Sequence, residues 1–182
     1  MTASQPKSTK RAKKSAEKHA EELTHLSERG EAHMVDVGGK DVTVRRASAR
    51  ARVRMNRETA RLLQSGETPK GDVLAAARIA GILAAKRTPE LIPLCHGIAL
   101  TRVTIELTPT ADGVDIVCAA EARDRTGVEM EAMVGASVAA LTLYDMLKAV
   151  DRAITYDVSL LEKSGGKSGD FLAKPRAIGG RR

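Results

Sequence analysis

The chain has 182 residues and a formal net charge of +7, a length that suits one domain with tails and can bury a sizeable core. The basic surplus sits at the ends: residues 1–20 carry five net positive charges and residues 171–182 four, which leaves two net negative charges between them. Tyr144, Tyr156 and Phe171 are the only aromatic residues, so bases have almost nothing to stack on, and composition argues against a nucleic-acid partner.

Residues 1–22 read as a basic disordered extension and 172–182 as a basic C-terminal tail, leaving 23–171 as a single domain. No apolar run follows the basic N-terminus, and no stretch approaches about 18 apolar residues, so neither a secretory signal nor a membrane span is expected. Within the domain, residues 42–46 and 49–55 read as strands; from Ala49 to Met55 small or apolar side chains alternate strictly with arginines. Asn56 is placed to cap a short helix through Gln64, ended by Gly66, and Asp72 to cap a second from Val73 to Lys86. Thr88-Pro89 opens a turn into Ile92-Pro93-Leu94-Cys95-His96. A hairpin follows, with Val103, Ile105 and Leu107 alternating on one arm and Val114, Ile116, Cys118 and Ala120 on the other. Thr126-Gly127-Val128-Glu129 has the capping-box pattern and begins a helix drawn to about Arg152. A last strand is expected around Thr155–Leu161. The resulting β-α(α)-β-β-α-β order is the split-βαβ or ferredoxin-like arrangement, an α+β fold whose antiparallel sheet carries helices on one face.

The long helix has no charge from Ala132 to Tyr144, and its apolar side chains surround the axis. A sheet covers one side only, so a second subunit is expected over the rest. Glu131, Asp145 and Lys148 share one stripe of this helix, Glu131 and Asp145 about 40° apart and Lys148 about 60° beyond. Buried, such charges need partners or a chemical use; an Asp145–Lys148 ion pair at i,i+3 is the plain alternative to catalysis. Lys70 reads equally as an anion ligand or a solvated loop lysine, and His96 as a ligand or a satisfied structural side chain. Glu129 reads as the capping-box acceptor or a site acid, and Cys95 as a small buried hydrophobe. Cys95 and Cys118 form neither a CxxC nor a disulfide framework, which fits a reducing cytoplasm, and no metal-ligand spacing is present. Gly166-Lys167-Ser168 has the look of a phosphate loop. It is not a P-loop: Leu161 occupies the position of the required leading glycine, and no helix follows. Lys163 and Lys167 in that stretch still suit a flexible anion clasp, or a solvated linker.

Four stretches carry more specific information: GEAHMVDV (30–37), KGDVLAAARIAGILAAKRTPELIPLCH (70–96), TGVEMEAMVGASVAALTLYDMLKAV (126–150) and LLEKSGGKSGDF (160–171). In this order and spacing they resemble the MoaC family of cyclic pyranopterin monophosphate synthases in molybdenum cofactor biosynthesis. The resemblance covers about residues 23–171. It implies a cytoplasmic, ferredoxin-like homohexamer, a trimer of dimers, with active sites at subunit interfaces and no cofactor. The implied substrate is a small molecule, (8S)-3′,8-cyclo-7,8-dihydroguanosine 5′-triphosphate, made by a preceding radical enzyme whose iron–sulfur cysteines this chain lacks. The implied products are cyclic pyranopterin monophosphate and diphosphate.

By the same resemblance Asp145, Lys148 and Lys70 match catalytic positions. Leu94, Cys95, His96, Glu129, Met130 and Glu131 match the segments that hold substrate, and Lys163 and Lys167 a C-terminal loop that closes near the phosphates. Gly97 stands where the family has proline after the histidine, which loosens the expected His96 contacts. Leu147 replaces a common cysteine at a packing position. Two rivals make different predictions: a non-catalytic ligand-binding module would release no diphosphate, and a nucleic-acid-binding protein using the tails would lose affinity steeply with salt.

Overall fold

The structure, a computed structural model, describes residues 31–167 and 169–174. The extension 1–22, most of the C-terminal tail and Ser168 lie outside the described residues. Of a first unit, Met1–Asp36, only 31–36 are described; they form no helix, and all but half-buried Val35 are exposed.

The second unit, from Val37, contains β1 (Thr43–Arg54), α1 (Arg57–Ser65), α2 (Val73–Lys86), α3 (Thr88–Leu91), β2 (Leu100–Thr110), β3 (Gly113–Asp124), α4 (Glu129–Leu147), β4 (Thr155–Ser164) and β5 (Phe171–Leu172). The sheet order is β2-β3-β1-β4-β5, with every neighbouring pair antiparallel. The first four strands have the ferredoxin-like order, and α2 and α4 pack against the sheet.

Local signals explain most boundaries. Asn56 Oδ1 accepts from Thr59 N at 2.8 Å, Gly66 closes α1 at φ 74°, and Asp72 Oδ1 accepts from Ala75 N at 2.9 Å to start α2. The two strands expected before residue 56 are one continuous strand, because Thr43–Arg54 pairs without interruption to β3. On β1, Ala47, Ala49, Ala51 and Val53 face the core, and Arg46, Arg52 and Arg54 the other side of the sheet, where Arg52 meets Asp115 at 2.8 Å and Arg54 meets Asp157 at 2.6 Å.

The capping box expected before α4 does not form. Val128 is the N-cap, without a side-chain bond, and the Glu129 carboxylate folds over Gly127 to meet Lys163 Nζ at 3.3 Å. A tertiary ion pair has taken the acceptor that the local motif would use. The helix also stops at Leu147 rather than near Arg152. Both Val150 N and Asp151 N donate to Leu147 O, while buried Asp151 accepts from Asn56 N and Ala153 N, which pulls the chain out of the helical path.

Helix α4 is long and apolar enough by composition to cross a bilayer. Yet Ala132, Ala136, Ala139, Ala140 and Leu143 are wholly buried against the sheet and α2, as in the central helix of a globular core. Helix α2 lies alongside α4 and covers part of what the sheet leaves open. The two helices approach closely because Gly81 and Gly135 face one another: a Cβ on Gly81 would lie 2.8 Å from Gly135 O. Small residues bring the backbones together, and Ile116, Leu143 and Leu147 fill the layer beneath. Each of those three stabilises the fold by about 1.5–3 kcal/mol. What α2 and the sheet leave uncovered on α4 includes Met130, Leu141, Asp145 and Lys148.

Candidate active site

The expected site residues fall into two groups at opposite ends of α4. At its C-terminal end Asp145 accepts from two ammonium groups: Lys148 Nζ lies 2.6 Å from Oδ1, and Lys70 Nζ 3.3 Å from Oδ2 and 3.0 Å from the Asp145 carbonyl. Lys148 reaches the carboxylate because i,i+3 positions are neighbours on a helix. Lys70 arrives from the loop before α2. That loop is fixed by a hydrogen bond from Thr68 Oγ1 to Gly71 O, by Gly71 at φ 78°, and by the Asp72 cap.

The Lys148 hydrogen bond, seconded by that of Lys70, holds the Asp145 carboxyl below the ordinary carboxylate range; Asp145 in turn pushes the Lys148 ammonium up. Within one chain this cluster is open to solvent: the side chains of Lys70, Asp145 and Lys148 are 42%, 55% and 51% exposed. Asp145 and Lys148 lie on the outward side of the end of α4, whose other side buries Leu143 and Leu147 in the core.

The other group surrounds the helix N-terminus. Glu131 is 3% exposed, and burial, reinforced by Glu129 and Asp124, pushes its carboxyl up to about 7. Cys95 is near enough to feel that charge: burial first, then Glu131, pushes its thiol up. Leu94 and His96 are half-buried beside it in sequence, while Met130 and Gly97 are exposed. Among the described residues, no cluster of three His, Cys, Asp or Glu side chains could hold a metal ion.

Lys163 reaches this group through an irregularity in β4. Val158 and Leu160 pair with Ala51 and Ala49 on the core-facing side, then the register shifts so that Glu162 pairs with Ser48 and Lys163 with Ala47. Leu161 is the extra residue of this bulge. Without it the alternation would put Lys163 on the far side of the sheet; with it Lys163 faces the helices and meets Glu129.

Glu129 and Lys167 both line an open cleft of about 680 Å³ near the N-terminus of α4. Lys40, Arg45 and Arg125 share its wall and were not among the residues expected from sequence. For Arg45 a signal existed: carried back from Ala49, the strand alternation puts it in phase with Ala47 and Ala49, a charged residue on the core-facing side. Lys40 and Arg125 lie in loops and carry no periodic signal.

Glu131 and Asp145 are fourteen positions apart, about 21 Å along the helix axis at about 1.5 Å per residue. One chain therefore presents an acid and two ammonium groups at one end of α4, and a second set of acids and cations at the other.

The MoaC family model matches residues 34–166. Proteins named cyclic pyranopterin monophosphate synthase are similar over most of their length. That of Herpetosiphon aurantiacus is 58% identical over 152 residues, covering 82% of this chain and 93% of that protein. The Streptomyces avermitilis protein is 55% identical, covering 82% and 88%. The Peptoclostridium acidaminophilum protein is 52% identical, covering 82% and 96%. Matches of this extent and identity make the chain a member of the MoaC family.

Proposed function

We propose that the chain is a cyclic pyranopterin monophosphate synthase acting in molybdenum cofactor biosynthesis. It converts (8S)-3′,8-cyclo-7,8-dihydroguanosine 5′-triphosphate to cyclic pyranopterin monophosphate and releases diphosphate. Residues 23–171 form the catalytic domain of a cytoplasmic homohexamer whose sites lie between subunits. The observation that carries this reading is the Lys70–Asp145–Lys148 cluster, an acid held ionised between two ammonium groups, on a chain whose relatives bear that enzyme name.

The reaction moves protons on and off ring nitrogens, hydrolyses a ring bond, and lets a ribose hydroxyl attack the α-phosphorus as diphosphate leaves. It needs acids, bases and cations and no change of oxidation state. Asp145, kept ionised by Lys148 and Lys70, is available as a base. Lys148, kept protonated by Asp145, stabilises developing negative charge. To give up a proton near neutral pH a lysine must fall from about 10.4 to about 7–8. The half-exposed position of Lys148 in one chain leaves Asp145 dominant, and cover by a neighbouring subunit supplies the opposing push of desolvation. Glu131 and Met130, with Leu94, Cys95 and His96, hold the substrate from the other group. Lys163 and Lys167 sit near its phosphates, each contact contributing about 1.5–3 kcal/mol. Two groups about 21 Å apart on one helix favour a site built by two protomers, each giving one end of α4. Exposed Ile79, Leu83 and Leu141 supply apolar surface for such contacts.

The test is diphosphate release from the cyclised nucleotide by the wild type and by Lys70→Ala and Lys148→Ala, together with native mass measurement. Wild-type release, with loss of about a hundredfold or more in both variants at unchanged mass, is expected. Full activity in either variant would remove the assigned cluster from the chemistry.

A further inference from the structure

From Gln64 to Asp72 every residue is exposed but one, Thr68, which is 8% exposed. A polar side chain buried alone in an exposed loop needs a partner for its hydroxyl. Thr68 meets both backbone polar groups of Gly71: its carbonyl accepts from Gly71 N at 3.1 Å, and its Oγ1 donates to Gly71 O. The first bond closes the β-turn Thr68-Pro69-Lys70-Gly71, where Pro69 presets φ at the second position. The second holds Gly71 in its left-handed conformation, φ 78°. Asp72 follows at once as the cap of α2, accepting from Ala75 N at 2.9 Å. Lys70 therefore leaves the loop from a backbone fixed on both sides.

The far end of the Lys70 side chain is also held by main chain. Where α4 ends, Lys148 N donates to Tyr144 O at 2.8 Å, and Val150 N and Asp151 N donate to Leu147 O at 2.9 and 3.0 Å. The Asp145 carbonyl in the same turn accepts from Lys70 Nζ at 3.0 Å, so a lysine from another element caps the helix C-terminus. That bond does not depend on the ionisation of the Asp145 carboxyl. Two pieces of backbone, the Thr68–Gly71 turn and the end of α4, thus set the ammonium's place, and its contact with the carboxylate at 3.3 Å follows. Lysine is among the side chains that lose most rotamer freedom on being held. An anchored turn keeps this one aimed in a cluster that is open to solvent.

We propose that Thr68 is a positioning residue for the reaction, its hydroxyl clamping the turn that aims the Lys70 ammonium at Asp145. The inference rests on the proposed reaction only in placing Lys70 among the groups that act on substrate. Without the hydroxyl the turn hinges on one bond and Lys70 swings more widely; no contact with substrate is asked of Thr68 itself.

The experiment pairs Thr68→Val, which keeps the branched shape and lacks the hydroxyl, with Thr68→Ser, which keeps the hydroxyl. Diphosphate release from the cyclised nucleotide is expected to fall about fivefold or more in Thr68→Val, in kcat rather than KM, and to stay near wild type in Thr68→Ser. In a Lys70→Ala background Thr68→Val is expected to cause no further loss, because the group it positions is gone. Unchanged release in Thr68→Val would overturn the proposal. So would the same further loss when Lys70 is already alanine, which is what a purely structural role gives. A second readout needs no turnover: peptide-mapped acylation of the full chain by an amine-reactive ester, with exposed Lys86 on α2 as the internal reference. Lys70 should react about fivefold or more faster in Thr68→Val than in wild type or Thr68→Ser, and equal rates would reject the clamp. Should the wild type release no diphosphate, the proposed reaction falls, and the acylation rates alone decide whether Thr68 positions Lys70.

Discussion

Asp145 carries two ammonium groups on one carboxylate, Lys148 at 2.6 Å and Lys70 at 3.3 Å, with more than half of its side chain exposed. That exposure separates chemistry from stability. Asp145→Asn preserves the shape and leaves little buried structure to disturb, so Tm and native mass should stay near wild type while diphosphate release falls about 10²–10⁴-fold. Full turnover by the variant would exclude the carboxylate from proton transfer. Glu131 is the opposite case, 3% exposed with its carboxyl pushed by burial to about 7, above the ordinary 4.5. The folded chain therefore holds this proton more tightly than the unfolded one. Its stabilising contribution is complete below the unfolded value and is lost as pH rises through about 7. Tm measured from about pH 5 to about pH 8 should fall more steeply for the wild type than for Glu131→Gln, which keeps the shape and cannot ionise. Parallel slopes would show that Glu131 is not buried as a carboxylic acid.

Elements whose boundaries depend on neighbours in sequence were legible before the fold was seen. Asn56 and Asp72 accept from the residues three further on, and the strict Ala–Arg alternation of β1 needs no knowledge of what it packs against. The misreadings are tertiary in origin. Glu129 leaves its local capping role because Lys163 offers a partner, and Lys163 offers one only because the bulge at Leu161 turns it to the helix side. No spacing along β4 reveals that bulge, since it exists in the pairing of two strands far apart in sequence. The site was legible in part for the same reason. Asp145 and Lys148 are one turn apart, whereas the three backbone carbonyls that accept from Arg45 lie 79 to 120 positions away. The α2–α4 contact carries a prediction of its own. A Cβ on Gly81 would lie 2.2 Å from Ile105 Cδ1 and 2.8 Å from Gly135 O. Ile105 can rotate; a backbone carbonyl in a helix cannot. Alanine gains about 1 kcal/mol in helix propensity, against about 1–3 kcal/mol for overpacking a close helix crossing. Gly81→Ala should therefore lower Tm by several degrees in thermal unfolding, and an unchanged or raised Tm would mean the helices have room to separate.

At the scale of the whole molecule, the separation of the two charged groups on α4 decides whether the proposed site can be built from one chain. The Lys70–Asp145–Lys148 cluster and the Glu131–Cys95–Lys163 region lie at opposite ends of a rigid helix, about 21 Å apart, and a single reacting ring cannot touch both within one protomer. If a neighbour supplies the second end, Asp145→Asn damages one half of a shared site and Lys163→Ala damages the other. Each variant assembled alone has every site broken. Co-expressed in equal amounts, they mix at random, and about a quarter of the sites receive the intact half from both protomers. Diphosphate release by the mixture should then recover to about a quarter of wild type, far above either parent, and should depend on co-assembly, since blending the separately purified proteins without subunit exchange gives no recovery. Activity in the co-expressed mixture no higher than the average of the parents would mean that both ends of α4 serve the same protomer's site, and the substrate would have to stretch along the helix to reach them.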